Sequence, residues 1–239
     1  MKKRISRISG SLILLFLVFL SQDCIAGVVI EQVVKDRDGR PSKVVLSFSK
    51  DRFRTDHPES GQTTIIDFGG DRIILVDHSA RGYVDVRFSQ WEKEVSQHFK
   101  KSAPEVKSQA RKITVRNTGE TATISGFSTE KVEVLADGEL IEEDWMTRDV
   151  NMKDVEKVME KVATGFSKGF KDETKEGREI YEKLKPYGFP ILVKDYAMSH
   201  GLGAIEVLEV KKIENKELSK EVFSPPKGYK RIFPEPMEK

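Results

Sequence analysis

From Gly27 to about Phe88 the chain alternates short apolar runs with turn residues. Gly27–Val34 is the first run. In Lys43–Ser49, Val44, Leu46 and Phe48 fall on one face and Val45, Ser47 and Ser49 on the other, the period of two of a half-buried strand. Arg52–Asp56, Thr63–Phe68, Ile73–Asp77 and Gly82–Arg87 follow, with turn signals at Asp38-Gly39 and Gly69-Gly70-Asp71. Six strands with no helix between them predict an antiparallel meander rather than a parallel sheet.

The period then changes. Ser89-Gln90-Trp91-Glu92 fits a capping box, and Trp91, Val95 and Phe99 form one narrow apolar stripe on the helix it opens, which Pro104 ends. A second β stretch is predicted at Lys112–Arg116, Thr121–Gly126, Lys131–Leu135 and Leu140–Thr147, with turns at Asn117-Thr118-Gly119 and Asp137-Gly138. Met152, Val155, Met159, Val162 and Phe166 step by three and four, with Val158 beside them, and predict another helix from Asn151. Gly165, Gly169 and Gly177 weaken helix continuity, so a break is expected before a last turn or two around Arg178–Leu184. Pro186 to Pro190 reads as a loop. Ile191–Met198 and Ala204–Ile213 read as a closing hairpin around Gly201-Leu202-Gly203, followed by an extended tail through Phe223-Ser224-Pro225-Pro226. The same strand-rich texture on both sides of the helices predicts one domain over residues 27–239.

The opening residues belong to none of this. Lys2, Lys3, Arg4 and Arg7 precede Leu12–Leu20, an apolar run too short to span a bilayer, which needs about 20 residues. Cys24-Ile25-Ala26 then offers small residues at the positions a signal peptidase admits. Residues 1–26 are therefore expected to be a signal peptide cut after Ala26. Lipidation at Cys24 is the less favoured reading, because bulky polar Gln22 and Asp23 precede the cysteine. The rest of the chain would then have no cysteine, which suits an oxidising compartment, here the periplasm. No later stretch is apolar enough to cross a membrane.

With 41 Lys+Arg against 39 Asp+Glu, charge gives no case for nucleic acid, and one cysteine excludes a disulfide framework or a multi-cysteine metal site. Candidate chemistry is thin. Gly165-Phe166-Ser167-Lys168-Gly169 matches G-x-S-x-G, with Asp195 and His200 following in order. A nucleophile elbow needs an apolar strand before the serine, and Val158–Thr164 is charged and helical in period. Asp56-His57-Pro58-Glu59 and Asp77-His78 lack metal-ligand spacing and fall in predicted turns. Glu142-Glu143-Asp144 could supply paired carboxylates but is expected to be a solvated strand edge. Neither an enzymatic centre, a metal nor a cofactor is expected. The amphipathic positions remain: Trp91, Val95, Phe99, Met152, Val155, Met159, Val162 and Phe166 are either plain core or the lining of a cavity for a hydrophobic ligand.

Several segments resemble one family. Lys50-Asp51-Arg52-Phe53-Arg54-Thr55-Asp56, Ile65-Ile66-Asp67, Val76-Asp77-His78-Ser79-Ala80-Arg81-Gly82-Tyr83, Thr118–Phe127, Asp137-Gly138 with Glu143-Asp144-Trp145, and Phe223 with Pro225, Pro226 and Gly228 are similar, in order and spacing, to motifs of an exported bacterial family of unknown function. That family is related to the LolA-like periplasmic lipoprotein-carrier superfamily. The resemblance implies a mainly β, α+β fold: an incomplete, curved antiparallel β-barrel covered by a few α-helices. It also implies a non-enzymatic periplasmic protein that binds a lipid or a lipoprotein acyl chain. An envelope protein-interaction or stress-sensing module with no small-molecule ligand is the alternative.

Overall fold

A computed structural model describes residues 24–36, 38–94, 111–150, 155–161, 173–196 and 207–233. Among the described residues, twelve strands form one open, curved sheet that does not close into a barrel. They are β1 (Cys24–Lys35), β2 (Pro41–Ser49), β3 (Arg52–His57), β4 (Gln62–Asp67), β5 (Arg72–Asp77), β6 (Gly82–Arg87), β7 (Ile113–Ile124), β8 (Phe127–Ala136), β9 (Glu139–Thr147), β10 (Phe189–Asp195), β11 (Val207–Ser219) and β12 (Lys230–Arg231). Their order is β12-β6-β5-β4-β3-β2-β1-β11-β10-β9-β8-β7. The two meanders are thus joined at their inner edges by the long antiparallel pair β1–β11. The predicted cleavage point after Ala26 falls inside β1, where Cys24, Ile25 and Ala26 pair with Ser219, Leu218 and Glu217.

Turn chemistry explains most of the reversals. At β8–β9, Asp137 and Gly138 take φ of 51° and 90°. Successive left-handed residues match the twist of a two-residue hairpin, and a residue without Cβ adopts them freely. Asn117-Thr118-Gly119, predicted as a turn between two strands, is instead an irregularity inside the single strand β7. There Asn117 Oδ1 accepts from the Gly119 amide at 2.8 Å and Thr118 Oγ1 donates to the Lys131 carbonyl at 3.1 Å. The side chains absorb the extra residues as a bulge, and the strand keeps its direction.

Among the described residues, three α-helical segments lie on one face of the sheet: α1 (88–94), α2 (155–161) and α3 (Glu173–Leu184). The start of α1 differs from the expected capping box. Its helix begins at Phe88, and the Ser89 amide and hydroxyl both donate to the Asp71 carboxylate in the β4–β5 turn, at 2.9 and 2.8 Å. These bonds hold the Asp71 carboxyl below the usual aspartate range. A carboxylate at a helix N-terminus also suits the local dipole. In α3, Gly177 sits inside the helix, so no break falls at that glycine, while Gly165 and Gly169 lie outside the described residues. Nothing lies within 4 Å of the place its Cβ would take, so no packing is lost there. Ile180 and Leu184, one turn apart, hold α3 to β7–β9, and Lys183 Nζ donates to the Ile113 carbonyl at 2.7 Å.

The reverse face is covered only in part. The predicted extended tail contains a 3₁₀ turn, Lys220–Phe223, and β12, which pairs with β6 in parallel. Phe223 and Tyr229 pack against Val29, Ile65, Ile74, Val76 and Leu218. Strands β4 and β5 are therefore buried on both faces, Ile65 and Ile74 under the tail and Ile66 and Ile73 under α1. That explains runs such as Thr64-Ile65-Ile66, which do not alternate.

Candidate functional site

Cross-strand pairing traces one face through most of the sheet. Ile73, Ile66, Phe53, Phe48 and Val28 lie on it in succession, Val34 on the same side of β1 pairs with Leu208, and Val193, Asp144, Val132 and Asn117 continue it, with α1, α2 and α3 covering it. Three apolar clusters divide it. Under α1, Phe88 and the half-buried Trp91 pack on Ile66 and Ile73, with the two aromatic rings 6.1 Å apart. Under α2, Val155 and Val158 pack on Val28, Ile30, Phe48, Ile191 and Val210. Under α3, Ile180 and Leu184 pack on Ile113, Val132, Val134 and Met146.

The stripe read for α2 needs one correction. Met159 is 40% exposed, whereas Val158 is 1% exposed and belongs to the cluster. With Val155 directed at the sheet, the position three residues on completes the contact and the fourth rotates past it. Trp91 and Val155 are both on the helix-covered face. Val95, Phe99, Met152, Val162 and Phe166 lie outside the described residues, as do Ser167 and His200 of the G-x-S-x-G arrangement and the Gly201-Leu202-Gly203 turn.

The α2 cluster is not closed. Leu46, Phe53, Phe68, Phe189, Leu208 and Ile213 pack against it while only half-buried. Apolar surface thus extends beyond the two valines that α2 sets on the sheet.

Polar chemistry interrupts this face at β9 and β10. Glu142 pairs across the ladder with Asp195, and Asp144 lies two residues along β9, opposite Val132 on one side and Val193 on the other. The Glu142-Glu143-Asp144 run is therefore not a solvated edge: β9 is an interior strand, with Glu142 2%, Asp144 1% and Asp195 5% exposed. Asp144 Oδ1 and Oδ2 are both buried, and the Asp144 carboxyl shares a hydrogen bond with the carboxyl of Glu142. Burial, with the adjacent Glu142 and Asp195 carboxyl groups, pushes the Asp144 carboxyl well above the usual aspartate range. The hydrogen bond with Glu142 adds to this, since only a protonated carboxyl can donate to another. Among the described residues, no three His, Cys, Asp or Glu side chains are grouped to hold a metal ion. Run length and composition suggested paired carboxylates; their burial had no signature within the run itself.

Glu143 points to the opposite face, where it meets cations. Lys131 Nζ lies at 2.7 Å and Lys194 Nζ at 3.5 Å, and Tyr196 Oη donates to the same carboxylate. Burial opposes its ionisation, but the hydrogen bonds from Lys131 and Tyr196 win and hold the Glu143 carboxyl below the usual range. Tyr196 is correspondingly pushed up to about 12, by burial first and then by its bond to Glu143. Adjacent residues on one strand thus take opposite protonation behaviour because their faces differ.

The histidine motifs also meet in space. Thr63 Oγ1 donates to Asp56 Oδ1 at 2.5 Å and lies 3.0 Å from His78 Nε2, while His78 Nδ1 lies 3.0 Å from Tyr229 Oη. Arg54 Nε and Nη2 each donate to Asp56 at 2.7 Å, and Arg54 Nη1 donates to the Val222 carbonyl at 2.7 Å. With its proton given to Asp56, the Thr63 hydroxyl accepts from His78 Nε2–H. The histidine therefore cannot act as its base, and the buried hydroxyl is not an activated nucleophile. The network fastens the tail to the reverse face.

None of the curated protein sequences matches the chain. Solved structures similar to it include the following two. One, designated PNGF-II, shares 9% identity over 87% of this chain with a TM-score of 0.36. The chain spans only 32% of that protein's length. The other, a LolA superfamily protein from Nitrosomonas europaea, shares 9% identity over 85% of this chain and 91% of its own, with a TM-score of 0.28. Residues 32–229, most of the chain, match one family, and the chain belongs to that family, the domain of unknown function DUF4412.

Proposed function

We propose that this chain is a non-enzymatic, exported periplasmic protein, a single domain after processing at Ala26, that binds a hydrophobic ligand such as a lipid or a lipoprotein acyl chain. One observation carries the reading. The helix-covered face is apolar over most of the sheet, and around Val155 and Val158 a ring of side chains including Phe53, Phe189 and Leu208 is only half-buried. A curved sheet with helices laid across it can admit an alkyl chain between the two layers without disturbing strand pairing. Ten methylenes would contribute about 8 kcal/mol before association costs, enough for micromolar binding. No helix among the described residues is long and apolar enough to cross a membrane.

The test is titration of the purified protein with an environment-sensitive apolar fluorophore, followed by displacement with a diacylated lipopeptide. Saturable uptake in the micromolar range with displacement is expected. Absence of saturable uptake refutes the ligand reading. The second reading, an envelope interaction module, is favoured by Phe233 at 76% and Ile232 at 46% exposure beside the two-residue strand β12 at the end of the sheet. Under that reading Phe233→Ser would abolish partner capture and leave fluorophore uptake at zero, as in the parent.

A further inference from the structure

We propose that the end of the tail, Lys230–Phe233, is an intramolecular cap on the outer edge of β6, and that it keeps this edge from pairing with the β6 of a second copy of the chain. The proposal is independent of the ligand reading above. Position is the first argument. Among the described residues β12 ends the sheet and β6 stands next to it, yet β12 has two residues against the six of β6. A six-residue strand at a sheet edge presents a row of outward amides and carbonyls that another strand can use.

Hydrogen bonding is the second argument. The Lys230 amide donates to the Arg81 carbonyl at 3.0 Å, and the Ile232 amide to the Tyr83 carbonyl at 2.7 Å. The next outward carbonyl is that of Asp85, and the ladder calls there for an amide from residue 234, a proline with no N–H to give. Arg231 Nη2 donates to the Asp85 carbonyl instead, at 2.6 Å. Gly82 makes room for the cap, since a Cβ there would stand 2.3 Å from Ile232 Cδ1. A cation on an edge carbonyl recurs at the other end of the sheet. The Lys112 carbonyl accepts from the Asp137 amide on the side of β8, so the Ile113 carbonyl faces outward, and Lys183 Nζ donates to it at 2.7 Å. That edge is also interrupted by the bulge after Asn117, whereas β6 pairs with β5 without irregularity and has only the tail to cover it.

The occupant follows from β6 itself. Set antiparallel to its own copy about Asp85, it would bring Val84 opposite Val86 and Tyr83 opposite Arg87, pairs that a two-fold axis repeats on both sides. Each central Asp85 carboxylate is already paired with Arg72 at 2.6 Å, so two bare charges do not meet.

The experiment is sedimentation velocity of the purified protein between about 10 µM and 1 mM, for wild type, Arg231→Ala, and Arg231→Ala combined with Ile232→Pro. Proline at 232 removes the N–H given to Tyr83, while Tyr229, 3.0 Å from His78, keeps the rest of the tail in place. Wild type should remain a monomer. The double variant should approach twice the monomer mass as concentration rises, with unchanged circular dichroism. Arg231→Ala, which changes one exposed side chain, should shift less in the same direction. Hydrogen exchange at the Asp85 and Arg87 amides should slow as the double variant dimerises. A folded double variant that stays monomeric throughout overturns the proposal, and so does a wild type that dimerises equally. A dimer that leaves those two amides unprotected overturns it as well, because association then uses another surface. If the double variant does not fold, Arg231→Ala decides alone, and no rise in its mass overturns the cap.

Discussion

Val158 and Met159 are adjacent on α2, and the structure assigns them opposite consequences. Val158 is 1% exposed and packs on Val28, Ile30, Phe48, Ile191 and Val210; Met159 is 40% exposed. Val158→Ala deletes two methyl groups, a transfer loss of about 1.6 kcal/mol. The cavity left against a sheet that cannot collapse raises this to about 2–3 kcal/mol. Alanine is the better helix former and returns about 0.5 kcal/mol, so the net loss is about 2 kcal/mol. Met159→Ala should stay within about 0.5 kcal/mol, because little buried surface changes. Urea unfolding of both variants should show a lower midpoint at constant slope for Val158→Ala alone. For a chain of this size its melting temperature should fall by about 4–8 °C. Equal losses at the two positions would refute the assignment of α2's buried face and, with it, the account of how this helix sits on the sheet.

Two other expectations are independent of α2. Because the folded Asp144 carboxyl is raised above its ordinary 3.8, the native state keeps a proton that the unfolded chain has lost, so this contribution is complete below that value and declines as pH rises toward the folded one. Wild-type stability should therefore fall relative to Asp144→Asn by up to about 1.4 kcal/mol per pH unit across that window, and parallel pH profiles in denaturant titrations would count against a buried neutral acid. Gly188, at φ 109°, leaves no room for a Cβ, which would stand 2.1 Å from the Thr147 carbonyl oxygen. Gly188→Ala should shift the β9–β10 approach or prevent folding, seen as loss of the cooperative melt, and a variant that melts like wild type would contradict the placement of β10.

The sequence by itself determined the strands and many of their turns, because both are local. Alternation in Val44, Leu46 and Phe48 follows from a pleat with one face buried. Asp137-Gly138 reverses the chain because those residues tolerate left-handed backbone. The order of the two meanders and the face that carries the helices depend on contacts distant in sequence. Nothing within β1 says that it pairs with β11 rather than closing on its own meander. Likewise Lys220–Phe223 is short and polar apart from two residues, and its role emerges only where Phe223 meets Ile65 and Ile74.

The candidate site divides in the same way. Trp91 and Val155 were legible from helical periodicity. Met159 was misassigned because a stripe of three- and four-residue steps leaves the helix's rotation about its axis undetermined by one position. Glu142 and Asp144 read as solvent-facing because a run of acids is usually solvated. Only the pairing of β9 between β8 and β10, under cover of the helices, buries alternate members and turns Glu143 toward Lys131 on the far side. Protonation follows from that placement: the dielectric and the neighbouring charges that move a pKa are properties of the folded surroundings, whereas the identity of the acid is all that the chain itself carries.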